Sequence, residues 1–195
     1  MSEDNVNRCD WALGVNQRYL DYHDLEWGMP QRDDQVQFEF LVLESAQAGL
    51  SWAIVLNKRD GYRQAFRNFD VETVARFNSR SVERLVNDAS IVRNRQKIEA
   101  AINNARRFIE VQEEFGSFSD YIWGFVDGEP IVNRWRTMEE VPATSAQSDK
   151  LARDLVQRGF RFVGSTIIYA HMQATGLVND HTVDCFRHLQ CQESE

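Results

Sequence analysis

The chain has 195 residues, 43% of them hydrophobic and 11% aromatic, with three prolines, three cysteines and a formal net charge of −8. That length suits one domain or one closely packed pair of lobes, and the composition excludes a disordered, collagenous or coiled-coil chain. No apolar run approaches the roughly 18 residues a membrane span needs, and three cysteines do not make a disulfide scaffold. The polar, acidic N-terminus lacks the basic-then-apolar profile of a signal peptide, so a cytoplasmic location is expected. A negative net charge weighs against nucleic acid, because DNA binding depends on neutralising phosphates, but net charge does not describe distribution. Acidic residues crowd the first 45 positions, whereas Lys58, Arg59, Arg63 and Arg67, then Arg93, Arg95 and Lys97, then Arg134 and Arg136 form basic segments. These are either one basic face or the solvated sides of separate helices.

In chain order, the pattern is helical nearly throughout. Asp33 or Asp34 caps a helix with apolar Phe38, Leu41 and Val42 that ends near Gly49. Ser51 is the expected N-cap of a helix carrying Ile54, Val55, Tyr62 and Phe66. Asp70 caps a short helix from Val71 to Phe77, and Ser79 caps another with Val82, Leu85 and Val86. From Arg93 to Glu114 the apolar residues Ile98, Ala101, Ile102, Ala105 and Ile109 keep helical spacing. Ser148 starts a helix through Leu151 and Leu155 that stops at Gly159. The segment Val163 to Thr175 forms another, closed by Gly176. Only Trp123–Val132, with its Asp127-Gly128 pair, reads as a short hairpin.

Three constellations stand out. Cys9, His23, His181 and Cys185 offer two thiols and two imidazoles, a set that suits a closed tetrahedral metal site. His181 and Cys185, four apart, share a face if helical. Ordinary core cysteines and histidines are the alternative, and His171, His188 and Cys191 are spare candidates. The second constellation joins Tyr19, Tyr22, Glu26 and Trp27 to Glu44 and Trp52. Glu44 lies among Leu41, Val42, Leu43, Ala46 and Ala48, where burying a carboxylate is costly without a partner. Either a polar helix edge passes there, or Glu44 meets a cationic ligand in a pocket whose aromatic walls stack on a flat ring. The third runs from Leu85 through Ser90 to Ile98, a helix, a tight turn and a helix that opens with Arg93, Arg95 and Lys97. A helix start of this kind offers backbone N–H groups to phosphate. Any two tightly joined helices share the pattern.

Five blocks are shared, in order, with one family. They are Arg8-Cys9-Asp10-Trp11, Tyr22-His23-Asp24-Leu25-Glu26-Trp27-Gly28, Glu44-Ser45-Ala46-Gln47-Ala48-Gly49-Leu50-Ser51-Trp52, Arg158 through Gly164, and Gly176 through His181. Together the chain resembles the bacterial 3-methyladenine DNA glycosylase I family, part of the helix-hairpin-helix glycosylase superfamily, from about Arg8 to Cys185. The resemblance implies a mainly α helix-hairpin-helix glycosylase fold: one domain over 1–195, two closely packed lobes, its termini joined by one structural zinc on Cys9, His23, His181 and Cys185. It implies a monofunctional enzyme that flips 3-methyladenine out of alkylated double-stranded DNA and hydrolyses its N-glycosyl bond. Glu44 is then the residue that reads the base, with Tyr22, Trp52, Tyr19 and Trp11 around it, and Ser90, Arg93, Arg95 and Lys97 on the DNA backbone. The family's hairpin usually has glycine where this chain has Ser90 and Gln96. A serine there adopts positive φ only at a cost of about 1 kcal/mol. A monomer without membrane association is expected. The rivals are a glycosylase-fold protein that binds damaged DNA without cleaving it, a metal-dependent hydrolase that uses the zinc directly, and a glycosylase for another lesion such as 3-methylguanine, which an acceptor-only Glu44 disfavours.

Overall fold

In the computed structural model, residues 6–192 are described. Helix α2, Asp34–Gln47, is the axis of the molecule, and Asp33 caps it by accepting a hydrogen bond from Val36 N. Residues 37–46 are all buried, the polar Gln37, Glu39, Glu44 and Ser45 included, as in a helix covered on every side. Phe38, Leu41, Val42 and Ala46 enter the main hydrophobic core, while Phe40 enters a second, smaller cluster with Cys9, Tyr22, Trp27 and Cys185. The candidate site lies beside that second cluster.

Helix α1, Gln17–Leu25, is capped by Asn16 and brings Tyr22 and His23 inward. After α2 the chain forms α3, Trp52–Asn57, and α4, Arg59–Ala65. The single helix expected from Ser51 to Phe66 is thus broken at Lys58, whose ψ of 1° leaves the helical region. Arg59 follows the break and is buried, bonded to Glu39 and Glu26. Breaking one buried partner out of such a group costs several kcal/mol, so the kink is held by charge as well as packing. Helices α5, Val71–Ala75, and α6, Ser79–Val86, follow; Asp70 caps the first and Asn78, one residue earlier than expected, caps the second. The long α7, Arg95–Phe115, is capped by Asn94 and buries Ile98, Ala101, Ile102, Ala105, Phe108 and Val111 along one face. Burial of each of the larger of these side chains stabilises the fold by about 1.5–3 kcal/mol.

The hairpin expected at Trp123–Val132 does not form. Ser117 caps a helix, α8, over Phe118–Trp123, whose inward-facing Phe118, Tyr121 and Ile122 follow helical spacing. Asp127 and Gly128 both take positive φ, but they close this helical segment, with Gly128 N donating to Trp123 O. The strand that follows, β1 (Ile131–Val132), pairs in parallel with β2 (Val178–Asn179) through Ile131↔Val178 and Val132↔Asn179. Helix α9, Ala146–Gln157, starts two residues earlier than expected, at a capping box made by Ser145 and Ser148. Helix α10, Ser165–Ala174, and the short α11, Phe186–Gln190, complete the described chain. Among the described residues no helix is long and apolar enough to cross a membrane.

Candidate active site and metal centre

Cys9, His23, His181 and Cys185 meet in the interior, all nearly inaccessible, with their ligand atoms within 4.8 Å of one another. Cys9 Sγ lies 3.5 Å from His181 Nδ1, and Cys185 Sγ lies 3.4 Å from His181 Nδ1 and 3.6 Å from His23 Nε2. A tetrahedral ion with metal–sulfur distances of about 2.3 Å and metal–nitrogen distances of about 2.0–2.1 Å sets sulfur and nitrogen about 3.6 Å apart. The cluster therefore has the dimensions of a closed four-ligand metal site. The far ring nitrogens are also engaged: His23 Nδ1 meets Asp24 Oδ1 at 2.7 Å, and His181 Nε2 meets Trp27 O at 2.9 Å. Such partners fix ring orientation in metal centres. Asp24 is in turn gripped by Arg8 through both carboxylate oxygens. Between the two thiols, the mutual hydrogen bond pulls Cys185 down and pushes Cys9 up, so Cys185 ionises first.

The expected helical placement of His181 and Cys185 is not what brings them together. Residues 181–184 form a turn, with Cys185 N donating to Thr182 O, and Cys185 is the N-cap of α11. Gly28 explains the close approach on the other side: its φ is +79°, and a Cβ there would lie 3.0 Å from the His181 ring. The three spare candidates are occupied elsewhere. His171 is bonded to Gln37 and held neutral by burial, which pulls its pKa down to about 3. His188 faces Asn133 O, and Cys191 lies buried against Met29.

Next to the cluster opens a cavity of about 350 Å³. Helix α2 supplies Glu44 and Gln47, α1 supplies Tyr19 and Tyr22, and Trp11, Trp27 and Trp52 close the aromatic side. The tryptophan and tyrosine rings brace one another: Trp11 meets Tyr19 edge-on at 5.5 Å and Trp27 at 5.0 Å, and Tyr22 meets Trp52 at 5.3 Å. Trp11 also touches the His23 ring at 5.0 Å, so the metal centre buttresses the pocket wall. Glu44 is 5% exposed, and no described residue donates a hydrogen bond to its carboxylate. Burial alone pushes its pKa up to about 8. Burial, reinforced by the Glu44 charge, likewise raises the Tyr19 and Tyr22 hydroxyls. Among the described residues the lining contains no lysine, arginine or histidine. An isolated buried carboxylate in an aromatic box, with no internal cation, is arranged for a flat ligand that brings positive charge or N–H donors.

Residues 87–94 join α6 to α7 and pack on α4. Gly61 allows this contact, since a Cβ there would come within 2.4 Å of Ser90 O. Lys58 Nζ donates to Ala89 O, and Val92 N donates to the Tyr62 hydroxyl. Ser90 and Gln96 are not among the positive-φ residues, so the expected strain at serine is absent. The Ser90 N–H and hydroxyl both donate to Asp88 Oδ1. Arg93 is exposed; Arg95 pairs with Glu83 and lies near Glu99. Lys97 turns inward and donates to Ala46 O and Ala48 O, capping the end of α2 beyond Glu44.

The structure thus gathers Glu44, Tyr22, Trp52, Tyr19 and Trp11 in one cavity, the metal set beside it, and the basic turn at a separate site. Glu26 instead pairs with Arg59. The far wall was not foreseen: Thr166, Ile167, Ala170 and Gln173 of α10, together with Met138. Their spacing marks one face of a helix, but nothing in their chemistry singles that face out.

Residues 11–188 match the family model described as methyladenine glycosylase. The DNA-3-methyladenine glycosylase 1 of Escherichia coli (strain K12) is 47% identical over 180 residues, covering 92% of this chain and 96% of that protein. A crystal structure of a 3-methyladenine DNA glycosylase I superposes with a TM-score of 0.89 at 46% identity, covering 92% of this chain and 98% of the other. A second, of a Tyr-to-Phe variant in complex with 3-methyladenine, also gives a TM-score of 0.89, at 34% identity, covering 92% and 96%.

Proposed function

The chain belongs to the methyladenine glycosylase family, and on that premise we propose that it is a DNA base-excision repair glycosylase that flips 3-methyladenine out of alkylated duplex DNA and hydrolyses its N-glycosyl bond. The observation that carries this reading is Glu44, a buried carboxylate without an internal donor, facing an aromatic cavity that holds no cation. Methylation at N3 gives the adenine a positive charge and makes it a good leaving group. The positive charge of the base draws the raised Glu44 pKa back down, so that the ionised carboxylate balances that charge and accepts from the base, while Tyr22, Tyr19, Trp52 and Trp11 provide ring surface and hydroxyls around it. When the bond from C1′ to the base breaks, its electron pair leaves with the base and neutralises it, and water adds to C1′ and gives up one proton to solvent. The base needs no proton, so no general acid is required. Among the described residues the lining has no lysine amine to form a Schiff base with the sugar, which supports hydrolysis without strand cleavage. Rate enhancement requires that the pocket hold the departing base more tightly than the base still bonded to sugar.

Cys9, His23, His181 and Cys185 would hold zinc. Bound there, the ion supplies a four-ligand crosslink between the two ends of the chain and, being closed, leaves no position for a reactive water. This argues against a zinc hydrolase. The helix-turn-helix at α6 and α7 is the proposed helix-hairpin-helix anchor on the phosphates, with Ser90, Arg93 and Arg95 nearest the backbone. Lys97 serves it by fixing the end of α2. The enzyme would act as a monomer in the cytoplasm.

The test is incubation with methylated duplex DNA and chromatographic identification of the released bases, with Glu44→Gln alongside. Release of 3-methyladenine by the native chain and its sharp loss in Glu44→Gln are expected. A folded, metal-loaded native protein that releases no base would leave only the binding-protein reading.

A further inference from the structure

Asp180 is fully buried and directly precedes His181 of the Cys/His cluster in sequence. Its carboxylate accepts four hydrogen bonds. Asn133 Nδ2 and Trp135 Nε1 donate to Oδ1, each at 2.7 Å; the Tyr169 hydroxyl donates to Oδ2 at 2.7 Å and Gln173 Nε2 at 2.8 Å. A carboxylate offers about four lone-pair sites and no donor, so this arrangement is saturated. It settles the orientation of the Gln173 carboxamide, whose NH2 must face Asp180. The carbonyl oxygen is the other end of that fixed group, and it accepts from no described residue. Gln173 lines the same cavity as Glu44, and its own backbone is tied to the aromatic side through Gly28 N donating to Gln173 O.

We propose that Gln173 is a specificity-determining residue: its side-chain oxygen accepts from the exocyclic amino group of the bound base, and Asp180 is the positioning residue that keeps it an acceptor. The inference rests on the glycosylase reading above. An adenine-type amino group has two N–H bonds, of which Glu44 takes one. The second, enclosed in a pocket without an acceptor, would carry the cost of an unmade hydrogen bond. A base with a keto oxygen at that edge would instead set oxygen against oxygen. Gln47 follows the same design, with its NH2 committed to Leu50 O. Each of these amides thus has its NH2 anchored on one partner, which leaves its oxygen as the end that no described residue engages.

The experiment compares the native chain with Gln173→Met on one methylated DNA carrying both 3-methyladenine and 3-methylguanine, and reads the ratio of the two released bases. A partly unfolded sample lowers both products together, so the ratio reports selectivity alone. About a tenfold fall in the 3-methyladenine to 3-methylguanine ratio is expected, from loss of one hydrogen bond that only the amino group can make. An unchanged ratio overturns the role of Gln173 and leaves the glycosylase reading standing. No base released by the native protein overturns both. Should the variant release neither base, binding of the two free bases, followed by quenching of pocket tryptophan fluorescence, decides the matter. Equal loss of affinity for both overturns the proposal, and selective loss for 3-methyladenine supports it.

Discussion

Glu44→Gln should stabilise the protein, and by an amount that grows with pH. The Glu44 carboxyl is raised from 4.5 to about 8 by burial alone. The folded protein thus holds this proton more tightly than the unfolded chain does. The cost of Glu44 is absent well below pH 4.5, accumulates as pH rises between the two pKa values and levels off above about 8. At 1.36 kcal/mol per pKa unit, the two values give a cost of about 0.8 kcal/mol at pH 5 and about 4.7 kcal/mol at pH 9. The difference of about 4 kcal/mol is a ceiling, because water entering the open pocket weakens the penalty. For a chain of this size it corresponds to a gain in Tm about 8–16 °C larger at pH 9 than at pH 5. Burying a neutral amide has its own cost, but that cost does not depend on pH and cancels in the comparison. So does the opposing demand of His171, whose depressed pKa destabilises the fold below about 6.5 in both proteins. Thermal unfolding of the two proteins across pH 5–9 makes the measurement. Parallel curves would refute the view of Glu44 as an unpartnered carboxylate whose burial is tolerated for binding.

Cys185→Ala should abolish stoichiometric metal binding and lower Tm by 10 °C or more, since loss of a closed site removes several kcal/mol of folding free energy; metal analysis and calorimetry check it, and an unchanged Tm would deny the crosslink. Gly28→Ala should cost about 1–3 kcal/mol by chemical denaturation, from positive φ and the close His181 ring together, and should weaken metal retention. Arg93→Ala should weaken DNA binding about equally for all sequences and reduce the salt dependence of log K by about one, as measured by titration at several salt concentrations. A changed affinity with an unchanged salt slope would remove Arg93 from the phosphate contacts.

The helices were legible because their signals are local. Asp33 and Asp70 cap where a carboxylate before an apolar-periodic segment is expected to, and the buried face of α7 follows from the spacing of Ile98, Ala101, Ile102 and Ala105. The pocket aromatics and the metal set were legible as residue types within ordered blocks, not as geometry. What escaped was non-local. Asp127-Gly128 carries the chemistry of a hairpin turn, yet it closes a helix, because the partner of β1 lies some 45 residues away in β2. The break at Lys58 depends on Arg59 reaching Glu39 and Glu26, which no window around Arg59 contains. Lys97 read as a phosphate ligand by its place in a basic run, but tertiary packing sets it against the carbonyls that end α2. Gln173 gave no signal at all, since its relevance comes from Asp180 and from the wall it completes.

The metal set also has a temporal side. Its first two ligands lie at positions 9 and 23 and its last at 185, with 162 positions between His23 and Cys185. At synthesis rates of about 5–20 residues per second, the early pair waits about 10–30 s for its counterparts to be made. During that interval Cys9 is an unengaged thiol on a nascent chain. The ring of Trp11 then lacks the ordered His23 support, and Gln173, made shortly before Asp180, lacks the group that orients it. The aromatic side of the pocket therefore gains its full support late, once the last of the four cluster residues has been made. A ribosome that stalls before Thr166 leaves a product that lacks both the second half of the cluster and most of the far wall of the pocket.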